Sequence, residues 1–198
     1  MADILPGEWV SFATVARKQY RCGHGHCDAN VGSTLGYQFQ HEHHGSHWAV
    51  IRICPLCNRP TYFEGERQSP GVSFGGEVKN VSPEVGALYD EARKCTAASA
   101  YTAAVLSARK ILMNIAVDQG ADEGKSFVEY VQYLSDKGFV PPNGKGWVDY
   151  IRRKGNEANH EIAMMERADA EELLTFVEML LKFIYEFPGR VPKTPTEG

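Results

Sequence analysis

The chain has 198 residues, a formal net charge of -4, and 43% hydrophobic and 23% charged side chains. These values are those of ordinary globular proteins, and they leave room for one large domain or two small ones. The mildly acidic balance excludes a protein that coats nucleic acid by bulk charge alone, although a local basic site is compatible with it.

The start of the chain lacks the basic residues and the apolar core of a signal peptide. No window approaches the roughly 18 to 20 consecutive apolar residues of a membrane span. The chain has five cysteines, and because the cytosol keeps thiols reduced, paired cysteines there bind metal more often than they form disulfides. We therefore expect a cytoplasmic protein with metal-binding cysteines.

The character of the chain changes near residue 80. Up to that point it carries 7 basic and 7 acidic residues, and beyond it 14 basic and 18 acidic ones. Residues 64–81 contain many turn formers and few apolar residues, which is typical of a linker. We predict a small β domain over residues 1–65, a linker over 66–81, an antiparallel all-α helical bundle over 82–187 and a flexible tail over 188–198, which makes the protein α+β overall.

Three runs in the first domain have strand character. A run over residues 14–20 leads into the first cysteine, and runs over 48–53 and 61–64 flank a turn that carries two cysteines. Aromatic and β-branched residues on both sides of a short turn are typical of a hairpin, so we predict a β-hairpin at this turn.

Helix start signals recur in the second domain. Ser82 followed by Pro83 indicates a capping hydroxyl and a proline at the first helical position, and Ser126 opens a later helix. A helix over residues 99–118 is expected between them, and another begins near Trp147.

The last helix has an unusually wide apolar face. Its start is predicted from the capping-box spacing of Asp169 and Glu172. Its apolar side chains spread over about half of the circumference, which is wider than the stripe of about 100° that a surface helix needs. We therefore expect part of this face to meet either the first domain or a second copy of the chain. The apolar residues are Leu173, Leu174, Phe176, Val177, Leu180, Leu181, Phe183 and Ile184.

The cysteines of the first domain form two pairs. Cys22 and Cys27 form a C-x4-C pair, Cys54 and Cys57 form a C-x2-C pair, and 26 residues lie between the pairs. Zinc binds four thiolates in a tetrahedron, and two short cysteine turns joined by strands supply that set. A closed four-thiolate site has no open coordination position, so we predict a structural Zn²⁺. The alternative is a set of reduced, buried cysteines without metal. The pattern over residues 18–64 resembles a zinc ribbon.

Other metal-ligating residue types lie nearby. His24 and His26, inside the first cysteine pair, are alternative ligands. Residues 41–47, which include four histidines, form either a solvated loop or a second metal or anion site. Cys95 falls on the apolar stripe of its helix and is predicted to be a small core residue.

The helix that begins near Trp147 carries a polar stripe. If it is helical throughout, Arg153, Asn156 and His160 stand at i, i+3 and i+7 on the face opposite its apolar stripe. Gly155, within the apolar stripe, indicates either close backbone packing or a break in the helix.

These three residue types suit phosphate chemistry. Histidine, with an unperturbed pKa of about 6.5, transfers protons at neutral pH, and arginine donates a planar fork of hydrogen bonds to a phosphate or a phosphorane. With RNA as substrate, His160 would remove the proton of the ribose 2'-hydroxyl while Arg153 stabilises the transition state, without a metal. The alternative is a solvent-facing helix in which Arg153 pairs with Glu157.

Arg153 and His160, with six residues between them, resemble the R-x4-6-H motif of the HEPN superfamily, a group of all-helical domains of which many are ribonucleases. The similarity is closer to an uncharacterised HEPN-like family that occurs alone, behind zinc ribbons or fused to type I restriction subunits. It covers residues 82–187 and is carried by residues 89–92, 103–110 and 151–160.

The resemblance implies a helical bundle that often dimerises and brings two Arg/His pairs into one cleft. It also implies a setting in bacterial antiphage defence or toxin biology, with RNA, another nucleic acid or a defence-system protein as partner. We therefore predict a HEPN-like, nucleic-acid-associated protein of the defence or toxin type. Its candidate activity is that of a metal-independent endoribonuclease with Arg153, Asn156 and His160 as catalytic residues, in which Asn156 orients the phosphate or the ribose. Arg152 is a second candidate for the arginine of the motif.

Two further classes of function are compatible with the sequence. In the first, the ribbon and the bundle form a non-catalytic module that binds nucleic acid or a partner protein. In the second, the chain is a structural subunit or antitoxin-like partner, and the Arg, Asn and His residues hold a dimer together. The basic run over residues 152–154 favours a local contact with RNA, whereas the acidic bundle disfavours avid binding.

Overall fold

The structure is a computed structural model that describes residues 13–25, 27–41, 44–141, 144–160 and 164–190. For residues 40–41, 44–48, 145 and 154–160 only the backbone is described. The chain divides into two compact units, Met1–Ser73 and Phe74–Gly198. The first contains an antiparallel sheet and the second contains α-helices, so the protein is α+β.

In the part of the chain that the structure describes, five strands form one antiparallel sheet in which spatial order follows chain order. They are β1 (Ala13–Arg21), β2 (Asn30–His41), β3 (His44–Ile53), β4 (Pro60–Glu64) and β5 (Arg67–Ser69). The predicted hairpin is confirmed, because β3 and β4 pair from Ala49 with Glu64 to Ile53 with Pro60. The predicted strand over residues 14–20 is β1.

Two strands are absent from the sequence-based prediction. β2 contains four polar residues and two glycines among its first nine, a composition that strands disfavour. Gly36 is needed there because a Cβ atom would lie 1.9 Å from the carbonyl oxygen of Ile51 on β3. β5 is only three residues long and falls inside the predicted linker.

The helical unit contains α1 (Pro83–Ala97), α2 (Tyr101–Asp118), α3 (Phe127–Asp136), α4 (Lys145–His160) and α5 (Arg167–Leu181). A π-helical turn (Lys182–Glu186) and a 3-10 turn (Pro188–Arg190) follow α5. Both predicted serine caps are confirmed: the Ser82 hydroxyl accepts a hydrogen bond from the backbone of Val85, and Ser126 forms a capping box with Glu129. Across the described residues, every helix is too short or too polar to cross a membrane.

The start of α5 differs from the prediction. The helix begins at Arg167, and the backbone N–H of Glu166 donates to the carboxylate of Asp169 at 3.1 Å. The predicted pair of Asp169 and Glu172 lies one turn too late. The sequence repeats the same acidic spacing, so spacing alone could not distinguish the two starts.

The wide apolar face of α5 is buried within its own unit. This face packs against α1 and α2, and Phe176 contacts Trp147 of α4 edge-to-face, with ring centroids 5.0 Å apart. The buried residues of the face are Leu173, Leu174, Phe176, Val177, Leu180 and Leu181. Because three helices cover it, the width of the face requires neither the first domain nor a second chain. Phe183, predicted to share the face, is 54% exposed.

The segment that precedes α1 is attached to the helices. The N–H of Phe74 donates to the Thr96 hydroxyl at 3.0 Å, and the guanidinium of Arg93 donates to the Phe74 carbonyl at 2.9 Å. The N–H of Gly76 donates to the Glu178 carboxylate at 3.0 Å. Phe74 and Gly76 lie within the predicted linker, and these hydrogen bonds attach them to the helical unit.

Candidate functional site

The first cysteine pair lies in the loop between β1 and β2. The N–H of Cys27 donates to the carbonyl of His24 at 2.8 Å, which closes a turn after Cys22. A Cβ atom at Gly23 would lie 2.2 Å from the carbonyl oxygen of Gly71. A side chain at Gly23 would therefore displace the loop that holds the first two thiols.

The second cysteine pair lies in the turn between β3 and β4. The N–H of Cys54 donates to the carbonyl of Arg59 at 3.0 Å, and the N–H of Asn58 donates to the carbonyl of Cys54 at 2.9 Å. Asn58 has a φ of 58°, a left-handed conformation that asparagine adopts more readily than most residues. The turn therefore brings Cys57 close to Cys54.

The four thiols form a compact cluster. The Sγ atoms of Cys22 and Cys57 are 3.7 Å apart, those of Cys27 and Cys54 are 3.8 Å apart, and all four sulfurs lie within 4.8 Å of one another. Four sulfurs at about 2.3 Å from a central zinc would be about 3.8 Å apart in a regular tetrahedron. None of the five cysteines forms a disulfide. The four residues could therefore hold a metal ion.

Burial governs the ionisation of these thiols. Burial raises the pKa of Cys22 above its ordinary value and raises the pKa of Cys57 to about 11. Burial acts in the same direction on Cys54, but hydrogen bonds from the backbone of Cys57 and Leu56 outweigh it and lower the pKa of Cys54. A bound cation would favour the thiolate form of all four, because ligation requires deprotonated sulfur.

The surroundings of the cluster are apolar on the side of the sheet. Tyr20, Val31 and Phe63 pack against the buried cysteines, and the Tyr20 and Phe63 rings meet edge-to-face at 5.0 Å. On the loop side, Arg21 forms an ion pair with Asp28 at 2.6 Å. The cluster thus lies between aromatic side chains of the sheet and a loop that is held by the ion pair. Both limit the access of water to the thiols.

His24, one of the two predicted histidine ligands, is not part of the cluster. The Nε2 atom of His24 lies 2.7 Å from the carbonyl oxygen of Pro60 and, as a donor, ties the first loop to β4. His26 and the side chains of residues 41–47 lie outside the described part of the chain. Cys95, on α1, is half-buried against the helical core, as a small core residue would be.

Helix α4 is continuous from Lys145 to His160, so Gly155 does not break it. At 100° per residue, the position of Asn156 lies about 60° and that of His160 about 20° from Arg153 around the helix axis. The backbone therefore aligns the three predicted catalytic positions on one stripe. The side chain of Arg153 is described, and those of Asn156 and His160 lie outside the described side chains.

The two candidate arginines have different surroundings. Arg152 donates to the side-chain oxygen of Gln132 on α3 at 3.1 Å and lies 3.5 Å from the carboxylate of Asp149. Arg153 is exposed, and its guanidinium lies 5.8 Å from the centre of the Tyr150 ring. Arg152 therefore attaches α4 to α3, whereas Arg153 is accessible to a ligand.

The sheet also carries an exposed apolar groove that sequence reasoning missed. The groove has a volume of about 360 Å³. It is lined by Tyr37, Gln38, Phe39, Ala49, Val50, Ile51 and Tyr62. The signal in the sequence was the alternation of Tyr37 and Phe39 with polar residues, which places both rings on one face of a strand.

Comparison with known proteins gives a match for the helical unit. The family model of DUF4145, a domain of unknown function, matches residues 90–196. No curated protein and no solved structure matches the chain. The matched residues include α4 and α5 and exclude the four-cysteine cluster.

Proposed function

The chain belongs to the DUF4145 family, and we propose that it is a HEPN-like, nucleic-acid-associated protein whose helix α4 carries a metal-independent ribonuclease site. The observation that supports this proposal is the unbroken course of α4 from Lys145 to His160. It aligns the positions of Asn156 and His160 with the exposed Arg153, opposite the buried Ile151. A bacterial defence or toxin role is part of the same proposal.

The four cysteines are assigned to a structural Zn²⁺. Their sulfur separations of 3.7 and 3.8 Å match a tetrahedral four-thiolate site. Zinc bound there would supply folding energy to the β unit and would have no open position for a substrate. The proposed chemistry therefore depends on side chains of α4 alone.

In the proposed reaction, His160 accepts the proton of a ribose 2'-hydroxyl, and the 2'-oxygen attacks the adjacent phosphorus. The bond from phosphorus to the 5'-oxygen breaks, and that oxygen takes up a proton from water as it leaves, while His160 releases its proton to the solvent. The products are a 2',3'-cyclic phosphate and a 5'-hydroxyl. Arg153 donates to the phosphorane oxygens, and Asn156 orients the phosphate or the ribose.

The surroundings of the two arginines support Arg153 as the arginine of this site. Arg152 forms a hydrogen bond with Gln132 and an ion pair with Asp149. Both interactions would have to break before Arg152 could bind a phosphate. Arg153 has an exposed side chain beside the Tyr150 ring. A guanidinium in that position can donate to phosphate without disrupting the helical core.

The test is to incubate wild-type protein and the His160→Ala variant with mixed RNA, with and without a chelator. We expect fragments ending in 2',3'-cyclic phosphate that persist with the chelator and disappear in the variant. Arg153→Ala should also abolish cleavage. Arg167→Ala, which removes an exposed arginine at the start of α5, is the matched control and should cleave normally. Cleavage retained by His160→Ala would reject the assignment.

A second candidate function is a non-catalytic module that binds nucleic acid. The exposed guanidinium of Arg153 beside the ring of Tyr150 favours it, because such a pair can bind a phosphate and stack a base without chemistry. This function predicts RNA binding that weakens as salt is added, with no cleavage product. Binding that is lost in Arg153→Ala, with intact RNA throughout, would select it over the ribonuclease.

A further inference from the structure

We propose that the apolar groove on the sheet binds an extended, proline-rich segment of a partner protein. This interaction is independent of the ribonuclease site on α4. The groove lies on one face of β2, β3 and β4, and five of its lining residues direct their side chains to that face. These residues are Tyr37, Phe39, Ala49, Ile51 and Tyr62, called the groove set below.

Strand register determines the shape of the groove. Tyr37 pairs with Ile51, and Ile51 pairs with Tyr62, so the three form one row across the sheet. Phe39 pairs with Ala49 in the next row on the same face. Neighbouring strands are about 4.8 Å apart, so the backbones of β2 and β4, which carry the aromatic residues, are about 9.6 Å apart on either side of β3. The groove therefore follows β3 between two aromatic walls.

The walls of the groove are exposed. Phe39 is 54% exposed, Tyr62 is 39% exposed and Ile51 is 37% exposed, whereas the small Ala49 at the floor is buried. With a surface of about 200 Å² for each large side chain, the exposed fractions of Phe39, Tyr62 and Ile51 amount to roughly 250 Å². A standard interface between two folded proteins buries about 800 Å² on each partner. The groove is therefore too small to hold a second folded copy by itself, and its size suits a short segment.

The charge of the groove argues against a nucleic acid. The lining residues include no lysine or arginine. In the row of Phe39 and Ala49, the next positions across the sheet are Glu64 and Arg67, which pair with each other. A polyanion needs cations along its path. Among the described side chains of this row, the one arginine, Arg67, stands opposite the carboxylate of Glu64. A neutral occupant is favoured.

A proline-rich segment meets these requirements. Its polyproline II conformation exists before binding, so it loses little conformational entropy and can bind through a small area. Proline rings pack against aromatic walls, which is the way that aromatic-lined grooves recognise such segments. The backbone carbonyls of a polyproline II helix lack internal partners, and the phenol of Tyr62 stands on one wall as a donor.

The test uses the full chain and a fluorescent decaproline peptide, with binding followed by fluorescence anisotropy. Phe39→Ala and Tyr62→Ala should each weaken binding by about tenfold. Tyr62→Phe keeps the ring and removes the donor, so it should weaken binding less. Phe183→Ala is the matched control, because Phe183 on the helical unit is also 54% exposed. It should bind decaproline as wild type does.

Three outcomes would overturn the proposal. The first is an absence of decaproline binding, or binding that Phe39→Ala and Tyr62→Ala leave unchanged while circular dichroism shows both variants folded. The second is binding of an oligouridine RNA that the same two variants abolish, which would assign the groove to nucleic acid. The third is self-association in sedimentation experiments that Phe39→Ala abolishes, which would assign it to a second copy.

Discussion

The Sγ atom of Cys22 lies 3.7 Å from the Sγ atom of Cys57, although 35 positions separate the two residues in the sequence. Each cysteine belongs to a different turn, and each turn is joined to the other through paired strands of the sheet. An unfolded chain would have to close this long loop before a metal could join the two turns. Metal binding and folding of the β unit are therefore expected to be coupled.

We expect one zinc ion per chain and its loss in Cys54→Ser. Apparent binding free energies of structural zinc, about 10–16 kcal/mol, exceed the stability of many small domains. Removal of zinc by a chelator should therefore unfold the β unit and leave the helical signal largely unchanged. Metal analysis and circular dichroism measure both effects. Cys95→Ser is the control, since Cys95 lies outside the cluster, and a full zinc content in Cys54→Ser would contradict the assignment.

The features that sequence reasoning predicted correctly depend on local signals. The hairpin of β3 and β4 is specified by two apolar runs around one turn, and the caps at Ser82 and Ser126 are specified by a hydroxyl before a helical pattern. The C-x4-C and C-x2-C spacings likewise predicted which four cysteines come together. The signals for the hairpin and the caps lie within a few residues of the structures that they specify, and each cysteine pair is marked by its own short spacing.

The features that sequence reasoning missed depend on contacts between distant residues. β2 could not be predicted from composition, because glycine usually disfavours strands. Gly36 is required here because a side chain would clash with the backbone of Ile51 on the next strand. The attachment of residues 74–81 to the helices depends on Gly76 and Glu178, which are 102 positions apart. No local pattern marks either contact. The wide apolar face of α5 has the same explanation, since the side chains that cover it come from three other helices.

Arg152 and Arg153 are adjacent, and their substitutions should have different effects on stability. Arg152→Ala removes the hydrogen bond to Gln132 that joins α4 to α3, so the free energy of unfolding should fall by about 1 kcal/mol. Arg153→Ala alters an exposed side chain and should change it by less than about 0.5 kcal/mol. Urea unfolding followed at a helical wavelength measures both. Equal losses in the two variants would show that Arg152 does not support the packing of α4.

Gly75→Ala should destabilise the helical unit. Gly75 has a φ of 77°, a left-handed conformation that costs alanine about 1–2 kcal/mol. A Cβ atom there would also lie 2.8 Å from the Glu178 carboxylate and 2.9 Å from the Tyr89 hydroxyl. We therefore expect a loss of at least about 1 kcal/mol in urea unfolding. Gly124→Ala is the control for the conformation alone, because Gly124 has a φ of 79° and its Cβ atom would meet no neighbour. A smaller loss in Gly75→Ala than in Gly124→Ala would show that the Glu178 contact has no effect.

Glu178 gives the attachment of residues 74–81 a pH dependence. Burial by itself would raise the pKa of Glu178, but hydrogen bonds from Lys182 and from the backbone of Gly76 outweigh it, and the pKa is lowered. Tyr89 also donates to the same carboxylate at 3.2 Å, and burial raises the pKa of Tyr89, so its phenol stays protonated. All three donors favour the ionised carboxylate.

A carboxyl group whose pKa is lower in the folded than in the unfolded state stabilises the fold above its unfolded value of about 4.3. That contribution is lost as pH falls through the lower folded value. Glu178→Gln should therefore lower the free energy of unfolding by about 1–2 kcal/mol at neutral pH. The difference between wild type and variant should shrink as pH falls from about 5 to 3. Other carboxyl groups titrate equally in both proteins, so the difference isolates Glu178. Urea unfolding across this range provides the measurement, and a difference that stays constant with pH would show that the ionised carboxylate does not hold the segment.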